Sequence, residues 1–140
     1  MGRIIGLDYG RKRTGIAVTD PDRIIATPLA TVPTHTLLDW LKKYMAGEEV
    51  DEIIIGEPRQ KDNTASEAEQ YIRPFIGQCR KLFPDLIIER VDERFTSVMA
   101  AKAIFDSGVN RKTRQDKSLV DKVSAAIILQ TYLDMQKYTK

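Results

Sequence analysis

Cysteine and histidine are nearly missing from this chain, with Cys79 and His35 as the only examples. A single thiol can form no internal disulfide. One Cys and one His cannot complete a zinc site of nitrogen and sulfur ligands. Any bound metal must be held by oxygen, which selects the hard cations Mg²⁺ or Mn²⁺. Long apolar runs are missing too. The longest, AAIIL at 125–129, falls far short of the ~20 residues that span a bilayer. The opening MGRIIGLD has no apolar h-region of a secretory signal, and Gly6 stands where a myristoylation signal carries Ser or Thr. The expectation is a cytoplasmic protein with no membrane partner. No internal repeat, low-complexity tract or linker interrupts residues 1–140, so they are read as a single domain.

A strong charge of one sign is also lacking, since 22 Lys and Arg stand against 20 Asp and Glu. A net charge of +2 does not by itself announce a nucleic-acid partner. The distribution says more. Arg11, Lys12 and Arg13 are contiguous, and NRKTRQDK gathers Arg111, Lys112, Arg114 and Lys117 around the single acid Asp116. Either cluster alone is a solvated loop. Flanking candidate catalytic acids, both read as contacts to phosphates. Cys79, on the apolar stripe of a predicted helix, is expected in the core.

The hydrophobic pattern begins with strands. RIIGLD at 3–8 and TGIAVT at 14–19 are short, β-branched and joined by a glycine-bearing turn, which reads as a hairpin. IIATPLATV at 24–32 continues a three-strand meander, with Pro28 placing it at an edge. THTLLDWLKKYM at 34–45 has helical spacing, with Thr34 as its expected cap and Gly47 as its end. EIIIGEP at 52–58 is continuously apolar, as a central strand is. In the next helix Thr64 and Glu67 form a capping-box pattern, and Ala68, Ile72, Phe75, Ile76, Cys79, Leu82 and Phe83 make one stripe. Pro74 lies inside it, so a kink or two shorter helices are expected, a mid-helix proline costing about 3 kcal/mol. LIIERVD at 86–92 is a fifth strand, followed by a helix over roughly 97–106 and a final one from Ser118. An antiparallel start followed by alternating strands and helices describes a mixed five-stranded α/β sheet with helices on both faces.

Acids placed for chemistry stand at the ends of these elements. Asp8 closes the first strand on the face of Ile4 and Gly6, and Gly6 and Gly10 leave space beside it. Glu93 follows the fifth strand; if that strand pairs beside the first, both acids emerge at one edge. Asp92 points the opposite way, so only one of the two can face the site. Asp121 continues the apolar face formed by Ala125, Ile128, Leu129 and Tyr132. A buried, unpaired carboxylate there needs a partner. The plainer reading is a first-turn acid at the favourable dipole end, with Ser118 as cap. Together Asp8, Glu93 and Asp121 suit Mg²⁺. Two such ions about 4 Å apart activate water and stabilise the leaving oxygen in phosphodiester hydrolysis. The basic loops then hold the strand being cut.

The segments GLDYGRKRTGIAV at 6–18, GEP at 56–58, VDERFTS at 91–97 and KSLVDKVSAAIILQTYL at 117–133 resemble, in order, the YqgF/RuvX family. The resemblance implies a ribonuclease H-like fold, with Asp8, Glu93 and Asp121 as catalytic, metal-binding acids. It implies nucleic-acid contacts for Arg11, Arg13 and Arg94. It further implies a cytoplasmic bacterial nuclease that trims the 5′ end of precursor 16S rRNA. Similarity to RuvC-type resolvases implies instead the cutting of four-way DNA junctions, which needs the paired sites of a homodimer. Glu57 departs from the small or apolar residue usual in the family's middle motif. The D-x-G turn also resembles the phosphate loop of actin-like ATPases, but those need two such domains. A weakly catalytic nucleic-acid-binding module is the rival of another class, distinguished by metal binding without turnover.

Overall fold

A computed structural model of the chain describes residues 2–58, 66–93 and 117–138. Strands β1 (Arg3–Asp8), β2 (Arg13–Thr19) and β3 (Ala26–Pro33) form the expected meander. Ile5 stands opposite Val18, and Asp8 opposite Gly15. The sheet runs β3-β2-β1 and then β4-β5, which makes β3 an edge strand as Pro28 required. Next to Pro28 the β2–β3 register shifts between Ile16 and Ala17, leaving Leu29 as an extra, exposed residue.

A short 3₁₀ turn, Thr34–Thr36, precedes helix α1 (Leu37–Gly47). Thr34 therefore does not cap α1, contrary to the sequence pattern. The intervening turn puts its hydroxyl against the β1–β2 connection, where it donates to the Gly10 carbonyl at 2.6 Å and pairs with the Thr14 hydroxyl at 2.9 Å. Strand β4 (Val50–Glu57) is parallel to β1, and β5 (Ile87–Asp92) is parallel to β4. The fifth strand thus does not pair beside the first. Ile53, Ile54 and Ile55 are fully buried on both faces, and so β4 takes the central place between them. Because all three strands are parallel, β1 and β5 still end at the same edge.

Helix α2 (Glu69–Leu82) continues through Pro74 as one element, so of the two expected outcomes the split into two shorter helices does not occur. The carbonyl that Pro74 cannot bond is that of Gln70; both residues are exposed, so water can satisfy it. Ile72, Phe75, Ile76 and Cys79 are buried as the stripe predicted, whereas Leu82 at the helix end is exposed. Thr64 and the helix expected over 97–106 lie outside the described residues. Helix α3 spans Lys117–Tyr138. Among the described residues no helix is long and apolar enough to cross a membrane.

The two faces of the sheet carry separate cores. Ile5, Leu7, Ile53 and Ile55 meet α1 and α2 through Leu37, Leu41, Ile72 and Phe75. Ile4, Ala17, Ile54 and Val91 meet α3 through Ala125, Ile128 and Leu129. Alternation along β1 thus puts Gly6 and Asp8 on the α3 side. There α3 approaches very closely. A Cβ on Gly15 would stand 1.9 Å from the backbone oxygen of Asp121, and one on Gly6 would stand 2.7 Å from Leu129 Cβ. A helix backbone cannot swing away as a flexible side chain can. Gly15→Ala should therefore destabilise the fold by at least the ~1–3 kcal/mol typical of overpacking. Gly47→Ala, where an added Cβ meets nothing within 4 Å, should be neutral or stabilising. Urea unfolding of the two variants checks the contrast.

Candidate active site

Asp8 is the last residue of β1, and its cross-strand neighbour Gly15 lies directly beneath the Asp121 backbone. That contact brings the Asp121 charge to bear on Asp8. Burial, reinforced by this like charge, raises the Asp8 carboxyl to about 6. Glu93 follows β5, and its amide donates to the Glu57 carbonyl at 3.1 Å, which fixes its backbone beside the end of β4. Its carboxylate occupies the space over Gly56, where a Cβ would fall 1.8 Å from Oε2. Burial, and then the Asp8 charge, push Glu93 up to about 8, against the opposing pull of Arg90. The alternation argument for this segment holds: Glu93 faces the site, and the adjacent Asp92 is exposed.

Asp121 is reached from the helix. Since α3 begins by Lys117 and has no acid in its first turn, the dipole-cap reading is corrected: Asp121 faces the sheet. Its Oδ2 accepts a hydrogen bond from Nε of Arg13, the first residue of β2. Arg13, expected to bind phosphate, is thus ion-paired with a candidate metal ligand. Among the described residues no three acids, histidines or cysteines form a ready-made metal cage. The donor chemistry nonetheless fits a hard divalent cation. All the donors are carboxylates, and Asp8 feels Asp121 as Glu93 feels Asp8.

Of the other basic candidates, Arg11 and Lys12 are exposed in the β1–β2 turn. The Lys12 carbonyl accepts from the Thr34 amide at 3.0 Å, so this turn is held to the start of the 3₁₀ segment. Arg94, Arg111, Lys112 and Arg114 lie outside the described residues, and Lys117 is described only as the first residue of α3.

Two residues escaped the sequence reading. Arg90 of β5 projects to the α2 side, where it donates to Glu69 Oε1 at 2.5 Å and to the Gly56 carbonyl at 2.9 Å. Glu69 is 4% exposed and also accepts from Arg73, and its pKa is held down chiefly by the Arg90 hydrogen bond. This network ties the start of α2 to the ends of β4 and β5, directly behind Glu93. A signal existed: Glu69 shares the helical spacing of Ile72, Ile76 and Cys79, an acid on an apolar stripe. Glu57 stands 4.0 Å from Arg90 on the same side, so it is turned away from the other acids.

A cleft of about 670 Å³ opens at the opposite edge of the sheet. Glu49, Asp51, Glu52 and Asp85 line it, and Arg23 is already paired with Asp51 at 2.5 Å. Such a lining repels phosphate, unlike the β1–β2 turn with its Arg11 and Lys12.

The raised carboxyls carry a stability cost whose sign can be worked out. Asp8 from 3.8 to about 6, and Glu93 from 4.5 to about 8, stay protonated in the folded chain where the unfolded chain has released its protons. The folded state then binds more protons, so stability falls as pH rises through these windows. In EDTA, urea unfolding of Glu93→Gln should show a flatter decline than the parent chain between roughly pH 5 and 8. An unchanged slope would mean that the carboxyl is fully solvated.

A family model described as RuvX, Holliday junction resolvase, matches residues 2–135. A protein of Phocaeicola vulgatus is 55% identical over 138 residues, covering 99% of each chain. One of Porphyromonas gingivalis is 54% identical over 134 residues, covering 96% of this chain and 97% of its own. One of Flavobacterium johnsoniae is 51% identical over 138 residues, covering 99% of this chain and all of its own. Each of these relatives is provisionally named a pre-16S rRNA nuclease. With its mixed sheet, its helices on both faces and a match spanning nearly its full length, the chain belongs to the RuvX family and has its ribonuclease H-like fold.

Proposed function

We propose that this chain is a metal-dependent nuclease that hydrolyses phosphodiester bonds at the 5′ end of precursor 16S rRNA, acting in the cytoplasm. The observation that carries the reading is the convergence of three carboxylates at one sheet edge, where Gly15, the cross-strand partner of Asp8, admits the Asp121 backbone and Gly56 leaves the space that Glu93 fills. The names of the relatives supply the RNA substrate.

Asp8, Glu93 and Asp121 would hold Mg²⁺ or Mn²⁺, which when bound supplies the charge that activates water and stabilises the leaving oxygen. The protein's own residues prepare the site for that charge. Burial and the neighbouring Asp8 charge keep the Glu93 carboxyl largely protonated at neutral pH until positive charge arrives. Asp8, raised only to about 6, is largely ionised there and is ready to meet a cation. Arg13 balances Asp121 and stands within reach of a phosphate laid across the edge. Arg11 and Lys12 border the same edge on the β1–β2 turn and attract the strand through salt-sensitive contacts. In this reading Arg94, Arg111, Lys112, Arg114 and Lys117 are further substrate-binding residues, assigned from the sequence alone. Behind the edge, Arg90 and Glu69 keep the strand ends in register, so that Glu93 projects over Gly56.

The family's own description favours a second reading, cleavage of four-way DNA junctions, for which a homodimer would provide paired sites. One assay separates the two. In Mg²⁺ the chain should cut a 5′-extended 16S precursor RNA and leave a four-way DNA junction intact. Asp8→Asn should lose at least about a hundredfold in rate, because the metal's share of the barrier is several kcal/mol. Its fold and RNA binding should persist, since the change removes a charge and no core contact. Paired cuts in the junction alone would establish the resolvase reading. RNA binding without variant-sensitive cutting of either substrate would leave a binding module, and wild-type cutting by Asp8→Asn would refute the metal site.

A further inference from the structure

The turn that leaves Asp8 sends its side chains in two directions, and α2 receives both. Tyr9 packs inward against Phe75, with ring centroids 4.9 Å apart. Arg11 lies outward over the ring of Tyr71, with its guanidinium carbon 5.1 Å from the centroid. Tyr71 and Phe75 are one helical turn apart, so they form a strip along one side of α2. The two rings have different surroundings. Phe75 is 4% exposed and belongs to the core, whereas Tyr71 is 40% exposed. An exposed cation–π contact is weak, so folding gains little from a tyrosine and an arginine stacked in solvent.

Aromatic rings and arginine planes are the two protein surfaces on which unpaired bases stack. Here the two are stacked on each other, three residues along the chain from Asp8. The turn is also held in place. Thr34 donates its hydroxyl to the Gly10 carbonyl at 2.6 Å and its amide to the Lys12 carbonyl at 3.0 Å, on either side of Arg11. A base in a duplex already has both faces covered by its neighbours and cannot use such a surface. A base in a single strand can.

We propose that Tyr71 and Arg11 form a stacking platform for an unpaired nucleobase beside the cleavage edge, so that the strand presented to the carboxylates is single-stranded. This inference rests on the nuclease reading for its purpose but not for its measurement. The probes are a short fluorescein-labelled single-stranded RNA, the DNA of the same sequence and the corresponding RNA duplex. Binding is followed by anisotropy in EDTA, so that no cutting intervenes. Tyr71→Ala should weaken binding of both single strands by about 5- to 150-fold while changing the duplex by less than about twofold. Tyr71→Phe keeps the ring and should bind as the parent chain does, which a role for the hydroxyl would not produce; a general packing defect in Tyr71→Ala would show as an equal loss on the duplex. Unchanged single-strand binding in Tyr71→Ala, an equal loss on the duplex, or a loss confined to one of the two sugars would overturn the platform. Cleavage by Asp8→Asn, measured in parallel, keeps the two ideas apart. A Tyr71→Ala chain that binds normally while Asp8→Asn fails to cut discards the platform and keeps the nuclease. A Tyr71→Ala chain that loses single strands while Asp8→Asn still cuts does the reverse.

Discussion

The contact on which the acid-bearing edge depends is the approach of helix α3 to the sheet over Gly15 and Gly6. An added Cβ at Gly15 would meet the Asp121 backbone oxygen at 1.9 Å, so no side chain can stand between the helix and β2. Gly15 is also the cross-strand partner of Asp8. One small residue therefore brings together two carboxylates that come from the first strand and the last helix. Gly56 does the same for the third acid, because the absent side chain is the space that Glu93 fills. The apolar contacts of Ala125, Ile128 and Leu129 press α3 down over these gaps.

Crowding of negative charge is the consequence, and the fold answers it with arginines. Arg13 pairs with Asp121 on the α3 side. On the α2 side Arg90 is bound by Glu69 and by the β4 carbonyls, and its charge lowers the proton affinity that burial gives Glu93. Neither arginine cancels the effect, since Asp8 and Glu93 remain raised to about 6 and about 8. A site in this condition is stabilised by a bound cation and destabilised by ionisation without one. This trade is common at catalytic centres, where some stability is given up for chemistry. The fully buried isoleucines of β1 and β4 offset the cost from the other parts of the sheet.

The β1–β2 turn joins these two sides. It leaves Asp8 on the α3 face and carries Tyr9 and Arg11 to α2, while Thr34 anchors its carbonyls. A turn fixed at several points holds its basic side chains over a small range, which favours ordered contact with a phosphate chain over diffuse attraction. The acidic cleft at the far edge sharpens the contrast: Glu49, Asp51, Glu52 and Asp85 gather there, while Arg11 and Lys12 lie exposed at the β1–β2 turn.

Much of this was readable before folding. Alternation of Ile4, Gly6 and Asp8 against Ile5 and Leu7 placed Asp8 on its face, and the run IIIG marked β4 as central, because both are local patterns of period two. The order of motifs identified the family. Local pattern misled where tertiary contact took over. Thr34 was drawn from the helix to Gly10, the strand beside β1 proved to be β4, and Pro74 did not divide α2 into two helices. Arg13 and Asp121 stand 108 residues apart, and no spacing rule links them. The same is true of Arg90 with Glu69. The sequence by itself determined which residues were strands, which faced inward and which acids could do chemistry, since these follow from the backbone period and side-chain type. Only the tertiary structure decided which charges neutralise one another and which aromatic ring is left in solvent, because those depend on side chains brought together by chain crossings that local periodicity does not encode.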